Sequence, residues 1–164
     1  MSSPEHQPTE YIWIAGTSGV GKETCIRSLT EGTNQELRKI LGISGSVHAY
    51  GQGFYDDSLK SLACAPFGQA VIKWQFKTHK NIKRLMGMKP DSKHRAFLLW
   101  RHYEIQIDDL LRRSPELKKD STTTLRFDWG IIKKLFLRLQ SEDSLDVSVI
   151  DINSPSYTLL KEWP

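Results

Sequence analysis

The 164-residue sequence predicts an α/β protein built on a mostly parallel five-stranded sheet with helices on both faces. Three observations carry this. Tyr11-Ile12-Trp13-Ile14-Ala15 is a continuous apolar run, as in a strand covered on both faces. Arg95–Trp100 and Val147–Ile152 read as buried strands of the same kind. Segments of helical spacing separate these runs, and alternating strands and helices mean a parallel sheet in layers. Ligands of such folds sit at the carboxyl ends of the strands.

The elements follow in order. Met1–Glu10 is polar, contains Pro4 and Pro8, and reads as a flexible tail ahead of a single domain over 11–164. The first strand, Tyr11–Ala15, stops at Gly16. From Lys22, Cys25, Ile26 and Leu29 recur at helical spacing until Gly32. Asn34 can cap a short helix through Leu41, stopped by Gly42. Ser46–Tyr50 is a short strand running into the loop Gly51-Gln52-Gly53. Asp56-Asp57-Ser58 offers an N-cap for a helix through Ala65, ended by Pro66. Gly68–Met86 fits either period; a strand at Ala70–Phe76 and a helix at His79–Met86 supply the sheet with another strand. After the strand Arg95–Trp100, Glu104–Arg113 has the apolar spacing of a helix. Ser114–Phe127 is polar and reads as a loop or lid. Asp128 can cap a helix carrying Ile131, Ile132, Leu135, Phe136 and Leu139. After Val147–Ile152, Asn153-Ser154-Pro155 turns the chain, and Tyr157–Trp163 reads as a short closing helix.

Composition excludes several classes. No apolar run approaches the roughly 20 residues needed to span a bilayer, so no membrane partner is expected. The N-terminus lacks the apolar core of a signal peptide, and a cytoplasmic location is expected. Cys25 and Cys64 have neither metal-ligand spacing nor a disulfide framework, and read as buried reduced thiols. The net charge of +4 is uneven: Lys73, Lys77, Lys80, Lys83, Arg84, Lys89, Lys93 and Arg95 crowd the middle, with His79 and His94. Such a run is either a solvated face or a surface that attracts phosphates or nucleic acid.

The strongest chemical signal is Gly16-Thr17-Ser18-Gly19-Val20-Gly21-Lys22, a phosphate-binding P-loop pattern. It follows a strand and opens a helix, the context in which the pattern has meaning. Its glycines permit a tight turn whose backbone N–H groups point at phosphate oxygens. The helix start adds a positive dipole end, and Lys22 a cation for the outer phosphates. One position departs. The pattern puts Ser or Thr after the lysine, to join a magnesium shell; here Glu23 follows, then Thr24. Three readings stand. Glu23 ligates magnesium directly or through water, since a carboxylate is a hard ligand. Thr24 takes over part of the role. Or the site binds nucleotide with altered metal use and weak catalysis.

With these residues the chain resembles the small P-loop kinases: the nucleoside monophosphate, shikimate and gluconate kinases. The resemblance spans most of the chain but is specific only at Gly16–Lys22. It implies the P-loop NTPase three-layer sandwich, ATP as donor and Mg2+, and an acceptor held after the second strand. Asp56 and Asp57 stand where that family holds its acceptor, though both also suit a helix cap. Arg112 and Arg113 stand where the family's arginines reach the phosphates, and Arg126 at the far end of the lid; guanidinium groups suit phosphate oxygens. Asn153, Ser154 and Pro155 occupy the place of the loop that packs on adenine. A second departure is the third strand, where the family commonly has an aspartate that organises magnesium. Here Lys73, Gln75 and Lys77 provide no carboxylate, and Glu23 can supply the missing one.

Three functions follow. The first is a kinase passing the γ-phosphoryl group of ATP to a small anionic or hydroxyl-bearing acceptor, Lys22 holding the donor. The second is a nucleotide-binding regulatory or partner-binding module with weak or lost catalysis. The third is a phosphotransferase acting on nucleic acid, less favoured because Trp74 and Phe76 alone interleave the basic run with aromatics.

Overall fold

The computed structural model describes residues 10–16, 22–45, 47–50, 68–73, 80–88, 90–113, 116, 119–142, 145–152 and 157–164. Its strands are β1 (Glu10–Ala15), β2 (Val47–Tyr50), β3 (Gln69–Lys73), β4 (Lys93–Trp100), β5 (Asp146–Asp151) and β6 (Thr158–Leu160). Its helices are α1 (Lys22–Glu31), α2 (Gln35–Leu41), α3 (Lys80–Met88), α4 (Tyr103–Arg113) and α5 (Lys119–Glu142). The sheet order is β2-β3-β1-β4-β5-β6. The first five strands pair parallel and β6 returns antiparallel along β5, with Asp151 opposite Thr158. The expected parallel five-stranded sheet is present, with one short strand added.

β1 lies at the centre, and Tyr11 through Ala15 are fully buried. Strand alternation sends successive residues to opposite faces. Tyr11, Trp13 and Ala15 join Ala70, Ile72, Ala96, Leu98, Val147 and Val149 beneath Leu85 of α3 and Ile132, Leu135, Phe136 and Leu139 of α5. Ile12 and Ile14 join Val71, Phe97, Leu99 and Ile150 beneath Cys25 and Leu29 of α1 and Leu37 and Leu41 of α2. Two cores separated by one sheet make the three layers. Each fully buried Leu, Ile or Phe contributes about 1.5–3 kcal/mol.

The helix boundaries near α2 follow the chemistry read from sequence. Gly32 stands past the end of α1 with φ 71°. Asn34 Oδ1 accepts the Leu37 N–H at 3.0 Å, which caps α2. Gly42, at φ 67°, closes it: its N–H reaches Lys39 O, and the Ile43 N–H reaches Arg38 O at 2.8 Å.

Two expectations are corrected. Residues 119–127, read as part of a loop or lid, belong to α5, so Arg126 and Asp128 lie within a helix rather than at its border. Ser121-Thr122-Thr123-Thr124 made the segment look irregular, but propensity is a weak prior. Leu125, Trp129, Ile132 and Phe136 continue one helical spacing across it. The closing helix at Tyr157–Trp163 is a strand at Thr158–Leu160 instead. Tyr157, Leu160 and Trp163 have helical spacing, but β5 offered an open edge, and pairing along it satisfies the backbone better than one isolated turn. β1 also begins at Glu10, the residue assigned to the tail.

Candidate functional site

β1 delivers Gly16, which is buried, to the carboxyl edge of the sheet. Thr17, Ser18, Gly19, Val20 and Gly21 lie outside the described residues. The chain resumes at Lys22, the first residue of α1. Lys22 is half-buried, and its Nζ donates to Gly16 O at 2.8 Å. The two ends of the phosphate-loop pattern are therefore fastened together. Five residues separate a buried central strand from a helix N-terminus, where backbone N–H groups and the helix dipole favour an anion. The position is also the topological switch point. The connection from β1 leads to β2 on one side, and that from β3 crosses to β4 on the other.

Glu23 is the second residue of α1, and its side chain lies outside the described residues. Thr24, next along, is exposed. Cys25 faces the core, and burial pushes its thiol up to about 11. This agrees with the reading of a buried reduced thiol; Cys64 lies outside the described residues.

Of the other predicted positions, Asp56 and Asp57 fall outside the described residues, as do Gln75 and Lys77. Arg112 is exposed on the last turn of α4; Arg113 follows it there, its side chain undescribed. Five residues separate α4 from α5. α5 has 24 residues, a length of about 36 Å, against about 20 Å for a six-residue strand. Among the described side chains of α5, Ile132, Leu135, Phe136 and Leu139 are buried; they lie in its second half, which leads back to the start of β5. A helix stands where a polar loop was expected.

Asn153, Ser154 and Pro155 also lie outside the described residues, but both flanks are fixed. The Ile152 N–H donates to Trp100 O at 3.0 Å. The Tyr157 N–H donates to Glu36 Oε1 at 3.1 Å, and Asn34 Nδ2 donates to Tyr157 Oη at 3.0 Å.

Sequence reasoning passed over the carboxyl ends of β4 and β5. Trp100 and His102 meet edge to face at 6.3 Å between ring centroids. Trp100 stands opposite Asp151, and β4 continues past the end of β1, where Ala15 faces Leu98. Arg101, His102 and Asp151 thus reach the edge that carries the phosphate loop. The available signal was a charged residue closing an apolar strand, as Asp151 closes Val147–Ile150.

The basic segment divides. His94 is buried: Tyr11 stacks on it at 4.9 Å, and Trp13 Nε1–H donates to its Nδ1 at 3.5 Å. Arg95 pairs with Glu10 and donates to Leu41 O at the amino end of the sheet. Lys83, Arg84 and Lys93 are exposed. Among the described residues no three His, Cys, Asp or Glu side chains cluster as a metal site, and no helix is long and apolar enough to cross a membrane.

No family model and no curated protein matches the sequence. Solved structures do match the fold. A gluconokinase from Sinorhizobium meliloti aligns over 92% of this chain and 86% of its own at 13% identity, with a TM-score of 0.52. A structure of the PezAT chromosomal toxin-antitoxin system of Streptococcus pneumoniae aligns over 93% and 71% at 14% identity, with a TM-score of 0.55. A shikimate kinase from Acinetobacter baumannii, in complex with shikimate, aligns over 93% and 87% at 16% identity, with a TM-score of 0.51. Identities this low speak to architecture alone, and on that they agree with the strand order and the strand-to-helix junction at Gly16: the chain has the P-loop kinase-like fold.

Proposed function

We propose that the chain binds ATP at Gly16–Lys22 and passes its γ-phosphoryl group to a small acceptor bearing a hydroxyl or anionic group. The observation that carries this is the junction of β1 and α1, with Lys22 reaching back to Gly16 O at the switch point of the sheet. The mechanism is positioning and charge neutralisation. Backbone N–H groups from Thr17 to Gly21 and the dipole of α1 hold the phosphates. Lys22 leaves Gly16 O for the outer phosphates. Arg112 or Arg113 takes the transferring group in a planar guanidinium contact. Asp56 or Asp57 orients the acceptor. Asn153, Ser154 and Pro155 pack on the base.

Magnesium needs one or two hard protein oxygens when phosphate oxygens and water complete its shell. The carboxylate of Glu23 and the hydroxyl of Thr24, adjacent on the first turn of α1, are of the right chemistry. Bound there, the ion would neutralise charge developing on the phosphates. β3, Gln69–Lys73, carries no carboxylate, so Glu23 is the residue that supplies one. Magnesium titrated into Glu23→Gln should enhance ATP affinity at least several-fold less than in the parent. An unchanged enhancement refutes the role of Glu23.

Calorimetry with ATP and magnesium, followed by labelled-phosphate transfer across a panel of metabolites and nucleotides, tests the whole reading. Micromolar binding with transfer to one member is expected. Micromolar binding without any transfer favours a nucleotide-binding regulatory module, the reading that Glu23 and the lack of a carboxylate on β3 also support. A nucleic-acid acceptor is disfavoured, because His94 and Arg95 of the basic segment serve the fold. It would show as binding that falls steeply with salt.

A further inference from the structure

His94 carries a titratable ring from the basic segment into the core. It is 9% exposed, and its Nε2 is closed off from solvent. β4 and β1 pair in register, with His94 beside Tyr11. The Tyr11 ring stacks on the imidazole at 4.9 Å between centroids, with 12° between the planes. Trp13, two residues on along the same face of β1, turns its Nε1–H to His94 Nδ1 at 3.5 Å. Tyr11 and Trp13 both belong to the core beneath α3 and α5.

An indole N–H only donates, so the Nδ1 that faces it presents a lone pair. The imidazole is then neutral, with its proton on Nε2. A second proton would enter at Nδ1 and set one N–H against another. It would also place a charge among buried rings, which burial opposes. The described charged neighbours look elsewhere. Lys93 and Arg95 flank His94 on β4 and so point to the other face, where Arg95 meets Glu10. Asp146 of β5 stands opposite Arg95, and Lys73 of β3 opposite Ile14, on that same far face. Over the His94 face, Lys83 and Arg84 of α3 and Lys133, Lys134 and Arg138 of α5 are exposed. Tyr11 remains, and tyrosine ionises only near about pH 10.

We propose that His94 makes the fold acid-sensitive: it holds β1 to β4 only while neutral, so acid between pH 7 and pH 5 loosens the protein. This inference stands apart from the nucleotide reading. The unfolded chain takes a proton at His94 near about pH 6.5, and the folded chain resists it. Stability from this group is complete above that pH and is lost as the pH falls. One proton taken up only on unfolding lowers the folding constant about 25-fold between pH 7 and pH 5. Urea unfolding followed by tryptophan fluorescence at pH 7, 6 and 5 tests this. His94→Asn keeps an acceptor oxygen towards Trp13 and does not titrate. Its loss over the same range should be smaller than the parent's by about 10-fold or more. A parent loss no larger than that of His94→Asn, or a parent that gains stability in acid, overturns the proposal. Should His94→Asn not fold, nitrogen NMR of the labelled parent protein decides. A neutral His94 ring with its proton on Nε2 is expected at pH 6; a charged ring, or a proton on Nδ1, overturns it.

Discussion

The two ends of the sheet use similar side chains for different ends. At the amino end, Glu10 and Gln69 open β1 and β3, Arg95 is the third residue of β4, and Gln69 and Arg95 both reach Glu10. Arg95 pairs with Glu10, reaches Leu41 O and lies 5.4 Å over the Phe97 ring. Gln69 Nε2 donates to Gly42 O at 3.0 Å and to Glu10 Oε2 at 3.3 Å, while its Oε1 accepts the Ser44 N–H at 3.0 Å. A cation at the C-terminus of α2 also answers the negative end of that helix. At the carboxyl end, Lys22 rests on a backbone carbonyl beside a helix N-terminus, a place that attracts anions. One cation completes a structural network; the other lies at a helix N-terminus, with a bond to the carbonyl of Gly16. Charge by itself does not mark function, and the geometry around it does.

This contrast can be broken experimentally. The largest effect belongs to Arg95→Ala. It leaves the Glu10 carboxylate and Leu41 O half-buried and short of a partner, which should cost about 2–3 kcal/mol in urea unfolding. ATP affinity should stay within about 2-fold; a large loss would mean that the two ends are not separate. Lys22→Ala should do the reverse. Losing a charge-assisted contact of about 1.5–3 kcal/mol predicts a 10- to 100-fold loss of ATP affinity by calorimetry, with unfolding nearly unchanged.

Gly42→Ala sharpens the amino end. Its φ of 67° disfavours a side chain, and a new Cβ would lie 3.5 Å from Arg95 Nη2. About 1 kcal/mol of stability should be lost, with no change in binding. The smallest effect concerns Cys25. Its thiol pKa is raised from 9.0 to about 11 by burial. That contribution to stability is complete below pH 9 and fades as the pH rises towards 11, because the unfolded chain ionises first. Below pH 9 a thiol reagent should therefore modify Cys25 only slowly in the folded protein, and nucleotide should not alter the rate if the thiol serves the core alone.

What the sequence disclosed depended on the range of the interactions. β1 was legible because burial on both faces leaves an unbroken apolar run. α2 was legible because Asn34 and Gly42 are local caps. The phosphate-loop pattern stood out for the same reason: its seven residues are contiguous. The first half of α5 was obscured by hydroxyl side chains whose local preference was overruled. β6 was obscured because pairing with β5 is decided by a partner elsewhere in the chain. Arg95 was grouped with the basic segment because its partner Glu10 lies 85 residues away. The grip on Tyr157 was hidden likewise, since nothing near Asn34 announces a tyrosine 123 residues on.

β6 has a further consequence. A parallel sheet ending at β5 would leave six residues of strand with unpaired N–H and C=O groups along one flank. Exposed edges of that kind template other chains. The returning segment pairs with Val149, Ile150 and Asp151, and turns that half of the flank into an edge of three residues. Lys161, just beyond it, donates to Ser148 Oγ at 2.9 Å, which pins the covering strand where it ends. A span too short to pair firmly with a neighbour protects the carboxyl half of β5 from unwanted strand addition.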